Sequence, residues 1–313
     1  MYYTTNKENE IIKEVIQGLT KPGKELPSKL FYDNRGSSLF DEITALDEYY
    51  ITRTEMRILE DNIVEIGGLL GEGTALIELG SGSSKKIRLL IDNIPGLAAY
   101  IPIDISGDHL IQSAADLSSD YPELEIVPMI ADYTKEFGLP VINKPYDHFA
   151  AFYPGSTIGN FKPEEAKFFL HRIAALLGKN GGMIIGVDLK KDKDTLEAAY
   201  NDSKGITAEF NLNILNHINN ATGSDFIPDN FQHNAFYNTF YGRIEMHLVS
   251  KLNQRIRMNG SIIDLKKDDD ILTEYSYKYT LSEFEDLIGG FFEVRKIWTD
   301  KDKLYSVQYL RVK

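Results

Sequence analysis

The chain has 313 residues, a formal net charge of -13 at pH 7 and no cysteine, with 42% hydrophobic and 26% charged residues. That balance belongs to a soluble globular protein, and at about 150 residues per domain the length allows one large or two coupled domains. A net negative surface without a clustered basic patch excludes nucleic acid as a natural partner, and the missing cysteines exclude disulfides, thiolate metal sites and cysteine nucleophiles.

The opening residues, Met1-Tyr2-Tyr3-Thr4-Thr5-Asn6-Lys7-Glu8, lack the basic stretch and apolar core of a signal peptide. No later apolar run is long enough to span a bilayer, so a cytoplasmic protein without membrane attachment is expected. Residues 8–70 read as helical, with loops around Pro27 and Gly36. From Thr74 to Asp188, short apolar runs alternate with helical stretches, the pattern of βαβ units and a mostly parallel sheet. Strands are predicted over 75–79, 99–105, 125–130, 148–153 and 182–187, each a near-continuous apolar run suited to burial on both faces. Helices are predicted near 86–91, 109–117 and 163–177.

Residues 192–218 read as a long helical region interrupted near Gly205. Segments 243–252 and 271–279 alternate like half-exposed antiparallel strands, which suits an inserted cap better than a continuation of the sheet. The tail, 292–298 and 304–312, alternates again and is expected to return to the main sheet as an antiparallel edge. The run Lys266-Lys267-Asp268-Asp269-Asp270 reads as a solvated turn.

The strongest local signal is Leu76-Ile77-Glu78-Leu79-Gly80-Ser81-Gly82-Ser83-Ser84-Lys85-Lys86, an apolar strand entering a glycine-rich turn and then a helix. Glycines there let backbone and ligand approach closely. The turn is not a full G-x-G-x-x-G, because Lys85 stands at the third glycine's place, and its spacing to Lys and Ser/Thr is wrong for a P-loop. Alone, it is explained equally well by a tight strand-helix turn. Two acids add to it. Asp104 ends the second strand, 24 residues beyond Gly80, where a carboxylate can accept from ribose hydroxyls. Asp132, beside Tyr133, ends the third strand, where it can accept from an adenine amine. All three features fall at the carboxyl ends of strands, where open α/β sheets bind ligands. The Glu before the turn, the missing third glycine and the late acid together resemble class I methyltransferases more than nicotinamide dehydrogenases.

The fourth strand runs into Phe152-Tyr153-Pro154-Gly155-Ser156-Thr157-Ile158-Gly159-Asn160-Phe161. With Leu30-Phe31-Tyr32-Asp33, Leu46-Asp47-Glu48-Tyr49-Tyr50 and Thr52-Arg53-Thr54-Glu55, this segment resembles the histidine-specific methyltransferase family that makes hercynine for ergothioneine biosynthesis. The likeness continues through Tyr200-Asn201-Asp202, Gly205-Ile206-Thr207-Ala208-Glu209-Phe210-Asn211, Arg243-Ile244-Glu245-Met246 and Leu272-Thr273-Glu274-Tyr275-Ser276.

The resemblance implies an α/β fold: a Rossmann-like class I methyltransferase sheet with an inserted mixed α+β substrate domain. Residues 1–54 and 191–280 would form the substrate domain, and 55–190 and 281–313 the cofactor domain. It implies S-adenosylmethionine as cofactor, held by Gly80, Ser81, Gly82, Lys86, Asp104, Asp132 and Tyr133. Tyr49, Asn160 and Tyr200 would hold the amino acid's amine and carboxylate, with Tyr32 nearby. Tyr49 and Asn160 are the catalytic candidates, Glu274 and Ser276 match the pair that reads the imidazole, and Gly155 is a further substrate-binding candidate; Thr207, Phe210 and Met246 read as core or as pocket wall, with wall the reading taken. The partner is then a small-molecule amino-acid substrate, and a monomer is expected. Tyr133 stands where a Phe can occur, and Ser83-Ser84-Lys85 where a Thr-Ser-Glu type of turn occurs.

The chemistry of the pair agrees with this at one point. Residues two apart on a strand share a face, so Glu274 and Ser276 can project together, a carboxylate accepting an imidazole N–H while a hydroxyl adapts to the other nitrogen. A solvated strand face is the plain alternative for Glu274. Rival readings are an acceptor that is another aromatic amino acid or an indole derivative, a nicotinamide-dependent oxidoreductase, and a non-enzymatic nucleotide-binding module. Gly155-Ser156-Thr157-Ile158-Gly159 approaches a hydrolase's nucleophile elbow, with Thr157 at its centre. The six histidines show no metal-ligand spacing, so no metal is expected.

Overall fold

The computed structural model describes residues 4–81 and 84–313, and Gly82 of the glycine turn lies outside them. The chain forms two compact units: residues up to Tyr50 with Lys191–Tyr277, and Ile51–Lys190 with Lys278–Lys313.

The first unit opens with α1 (Thr4–Leu19), β1 (Lys24–Glu25) and α2 (Asn34–Thr44). Gly36, expected in a loop, lies in the first turn of α2, because the Asp33 side chain accepts its amide at 2.7 Å and caps the helix. The glycine marks a close approach instead: a Cβ there would sit 1.7 Å from the Phe31 carbonyl oxygen. Helix α3 (Tyr50–Leu70) leads into the second unit.

There follow β2 (Thr74–Leu79), α4 (Ser84–Asn93), β3 (Ala99–Asp104), α5 (Gly107–Asp120), β4 (Glu125–Ile126), β5 (Met129–Ile130), β6 (His148–Tyr153), α6 (Pro163–Leu177) and β7 (Gly182–Asp188). Strands β2 and β7 are buried along their whole length, as expected for runs such as Ala75-Leu76-Ile77 packed on both faces. The single strand expected over 125–130 is instead two short pieces, β4 and β5. Pro128 between them has no N–H to give the ladder, and the pair forms a sheet edge with Ile130 58% exposed, not a buried strand.

The inserted segment carries α7 (Lys193–Ala198), α8 (Ile206–Thr222), β8 (Phe231–Asn238), β9 (Arg243–Ser250), β10 (Gln254–Met258), β11 (Ser261–Leu265) and β12 (Asp270–Tyr277). Its sheet runs β1-β12-β9-β8, and β10 and β11 form a separate hairpin. Strand β9 is not half-exposed as its alternation suggests. Arg243 and Glu245 are 8% and 7% exposed, because the guanidinium lies 3.7 Å over the Tyr275 ring and 4.4 Å from that of Tyr241 while pairing with Glu245 at 2.7 Å. His247 stacks on Phe236 along the same face.

The chain ends with α9 (Leu281–Ile288), β13 (Phe292–Thr299) and β14 (Tyr305–Val312) in the second unit. The eight-stranded sheet there has the order β13-β14-β7-β6-β2-β3-β4, with β5 also on β3. Strands β2 to β7 pair in parallel, whereas β14 runs antiparallel between β7 and β13, so the tail's edge strand is β13 and β14 is interior. Strand β2 has β3 on one side and β6 on the other, which makes its carboxyl end the switch point where such sheets bind ligands. Among the described residues no helix is long and apolar enough to cross a membrane.

Candidate active site

In the second unit the glycine turn follows β2 directly. The amides of Gly80 and Ser81 both reach the Ile103 carbonyl, at 2.9 and 3.3 Å, which ties the turn to the end of β3. Gly80 has φ +79°, a conformation that favours glycine, and a Cβ there would project to within 3.5 Å of the Tyr133 hydroxyl. Asp104 closes β3 and accepts the Ser106 amide at 2.8 Å, while Asp132, two residues past β5, accepts the Thr134 amide and hydroxyl at 3.1 and 2.5 Å. The Tyr133 ring stands edge-on to Tyr153 at 5.9 Å, and its phenol is pushed above the ordinary value by burial and by the charges of Asp104 and Asp132. A side-chain-free crook, two strand-end carboxylates and an aromatic ring suit an adenosine: acceptors for ribose hydroxyls and an exocyclic amine, and a face for the base.

Two buried acids that sequence reasoning left unassigned support this turn. Glu78 is 3% exposed and takes the Tyr100 hydroxyl; burial pushes its carboxyl up to about 7 against the opposing bonds from Tyr100 and Ser81. Glu55, fully buried, ion-pairs with Lys86 and accepts the Gly155 amide at 2.9 Å and the Tyr305 hydroxyl at 2.8 Å. Its signal was present: Ile51, Glu55, Ile58 and Leu59 are spaced as one helical stripe, and an acid on an apolar stripe needs a buried partner.

Gly155 and Asn160 also belong to this unit. Gly155 (φ +76°) and Ser156 (φ 58°) form a left-handed turn after β6, and Ser156 Oγ accepts the Asp188 amide at 2.9 Å. Thr157, central in the elbow-like motif, donates its hydroxyl to the Pro154 carbonyl at 2.9 Å, and the strained backbone sits at its neighbours instead. Asn160 ends the short 3-10 turn Thr157–Asn160 and is half-buried.

The first unit gathers the remaining candidates. Tyr200 donates its hydroxyl to Ser276 Oγ at 2.9 Å, and the Tyr49 ring stands edge-on to Tyr200 at 6.4 Å. Phe40, not anticipated, bridges Tyr49 at 6.3 Å to Tyr32 at 5.9 Å, and Phe210 meets Tyr32 at 5.9 Å. Glu274 lies directly opposite Met246, and Ser276 opposite Ile244, so the four share one face of the β9–β12 pair. Thr207 and Phe210 are buried on α8, whose start is fixed by Asp202 accepting the amides of Ile206 and Thr207 at 2.9 and 2.8 Å. Burial acts to raise the Asp202 carboxyl, but these amides hold it below the ordinary value. Among the described residues no group of three or more histidines and acids is arranged to hold a metal ion.

A parallel sheet with one antiparallel strand inserted beside its edge, and a glycine turn with strand-end carboxylates at the switch point, is the architecture of class I methyltransferases. Residues 2–312 match the model of the S-adenosylmethionine-dependent, histidine-specific methyltransferases, and the chain belongs to that family. It is 39% identical over 275 residues to the histidine N-alpha-methyltransferase of Mycolicibacterium smegmatis, covering 85% of this chain and 84% of that protein. Against the protein of the same name from Mycobacterium tuberculosis the identity is 38% over 272 residues, with the same coverage. The ergothioneine biosynthesis protein 1 of Neurospora crassa is 32% identical over 284 residues, which span 83% of this chain but 32% of that longer protein.

Proposed function

We propose that the protein transfers methyl groups from S-adenosylmethionine to the α-amino group of free L-histidine, and that three successive transfers yield Nα,Nα,Nα-trimethylhistidine (hercynine). The observation that carries this reading is the polar set on one face of β12: Glu274 and Ser276 side by side, with the Tyr200 hydroxyl bonded to Ser276 at 2.9 Å. A carboxylate and a hydroxyl at this spacing can satisfy both imidazole nitrogens, and a ring without them leaves buried polar groups unpaired. Phenylalanine and leucine are therefore poor acceptors.

In this reading Gly80, Ser81, Gly82, Lys86, Asp104, Asp132 and Tyr133 hold the cofactor. When bound, it supplies an already activated methyl carbon, so the chain's own task is positioning. Tyr200 and Asn160, with the Gly155 turn, hold the amino acid's polar backbone groups. The Tyr49 hydroxyl orients the amine and takes part in relaying its proton, since a free amine is mostly protonated at neutral pH. Thr207, Phe210 and Met246 form the wall. The rings of Tyr32 and Tyr49 give aromatic faces to the fixed cation that the third transfer creates.

The deciding experiment is mass spectrometry of the purified protein with methyl donor and a panel of free amino acids and indole derivatives. Mono-, di- and trimethylated histidine are expected; methylation of tryptophan or an indole instead would reassign the acceptor. Calorimetry with S-adenosylhomocysteine and with NADH separates the reading from an oxidoreductase, and binding of the former without any transfer would leave only a nucleotide-binding module.

A further inference from the structure

We propose that Thr273 and Asn211 are positioning residues for acceptor selection, because together they pin a β-bulge that turns Glu274 and Ser276 toward the acceptor. The inference rests on the role just assigned to Glu274, and it concerns what decides the face that side chain occupies.

Strands β9 and β12 pair in two registers. From Asp270 to Leu272 the partners are Val249, Leu248 and His247; from Glu274 to Tyr277 they are Met246, Glu245, Ile244 and Arg243. Thr273 is the one residue of β12 left over between the two runs. Were Thr273 instead paired in the ladder, the first register would continue, setting residue 274 against Glu245 and residue 276 against Arg243. Glu274 would then face a second carboxylate on the charged side of the sheet, a destabilising like-charge pair, and Ser276 would leave Tyr200. The inserted residue moves both to the opposite face, beside Met246 and Ile244.

An extra residue in a ladder stays in place only if something holds it. The Thr273 hydroxyl lies 2.7 Å from Asn211 Oδ1 and 3.0 Å from the Met246 carbonyl, two acceptors for its single proton. Asn211, fully buried on α8, donates its Nδ2 to the His247 carbonyl at 3.0 Å. The carbonyls of both β9 residues that flank the bulge are thus met by side chains. Asn211 Nδ2 also lies 2.9 Å from His233 Nδ1, while His233 Nε2 is 3.0 Å from the Tyr200 carbonyl. A neutral His233 carrying its proton on Nε2 satisfies both ends. One hydrogen-bonded chain therefore runs from Tyr200 through His233 and Asn211 to the bulge beneath Glu274.

The test is Thr273→Val, which keeps the shape and removes the hydroxyl, with Thr273→Ser as the conservative restoration and Glu274→Ala as reference. Calorimetry in the presence of S-adenosylhomocysteine should show histidine affinity about tenfold weaker in the valine variant, the size of one lost buried hydrogen bond, with cofactor-product affinity unchanged. The serine variant should recover most of the difference. Wild-type histidine affinity in Thr273→Val, beside a weakened Glu274→Ala, would overturn the pin while leaving the function standing. Unchanged binding in Glu274→Ala would remove the function's imidazole assignment and this inference with it, and equal losses of histidine and cofactor product in Thr273→Val would mean a structural residue only. If the valine variant does not fold, Asn211→Ser removes the acceptor from the other side of the bond, and the same selective loss is expected; unaltered histidine affinity there overturns the proposal.

Discussion

The Glu55 carboxylate accepts the Gly155 amide at 2.9 Å while neutralising Lys86, so one fully buried acid joins the helix after the glycine turn to the turn after β6. Removing one partner of a buried ion pair leaves the other uncompensated and costs about 3–5 kcal/mol. Glu55→Ala should lower stability by that order in chemical denaturation. Gly186→Ala should also be destabilising, since its Cβ would stand 2.1 Å from both Glu55 Oε1 and the Tyr305 hydroxyl.

Glu78 gives the cofactor-free protein a pH dependence of unusual sign. Its carboxyl is pushed from 4.5 to about 7, so between these values the folded state binds more protons than the unfolded one. Stability therefore falls as pH rises from about 4.5 to about 7 and levels off above, a loss on the order of 3 kcal/mol for this group. Glu78→Gln should lose that slope and be more stable than wild type at pH 8. Denaturation midpoints of both proteins at pH 5 and pH 8 decide it.

His233 acts in the opposite direction. Burial lowers its pKa below 6.5, so it is neutral in the fold and its contribution is complete above that value. The contribution is lost as pH falls through the lowered folded value, when protonation puts an N–H against the Asn211 amide. The difference in stability between wild type and His233→Gln should shrink on acidification, and a difference constant from pH 7 to 5 would remove this account.

The strands that carry the nucleotide turn were readable because residues such as Leu76, Ile77 and Leu79 form unbroken apolar runs, a local property of the chain. Strand β8 was not, since Gln232, His233 and Asn234 separate its two buried residues, Phe231 and Ala235, and its partner β9 supplies the reason it is extended. The burial of β9's Arg243 and Glu245 was hidden for the same reason: the Tyr275 ring that covers the guanidinium comes from another strand. Spacing correctly set Glu274 and Ser276 side by side, but not on which face, because the bulge at Thr273 depends on Asn211, 62 residues away. Tyr200 was named as a candidate only through the family likeness, since among 18 tyrosines nothing local would have selected it, and its bond to Ser276 came only from the structure.

Lys278 and Asp188 form an ion pair at 2.7 Å with both side chains fully buried, at the point where the chain re-enters the second unit. Lys278→Met alone should cost about 3–5 kcal/mol by stranding the carboxylate, whereas replacing both with apolar residues should cost much less than the sum. A double-mutant cycle in denaturant measures the coupling; additive losses would show that the two charges are not energetically coupled.

Tyr49 tests the chemistry apart from the packing. Its ring is 8% exposed and stands edge-on to Phe40 and Tyr200, contacts that a phenylalanine would keep, so Tyr49→Phe should fold and bind cofactor product as wild type does. What it loses is the hydroxyl proposed above to orient the amine and relay its proton, a role worth about 10²-fold or more where general acid–base help is used. The turnover of histidine should fall by that order with little change in its affinity, and partially methylated products should accumulate. Wild-type rates and fully methylated product would show that the amine finds its alignment and loses its proton without Tyr49, and would transfer that role to another group, with Asn160 the next to be replaced.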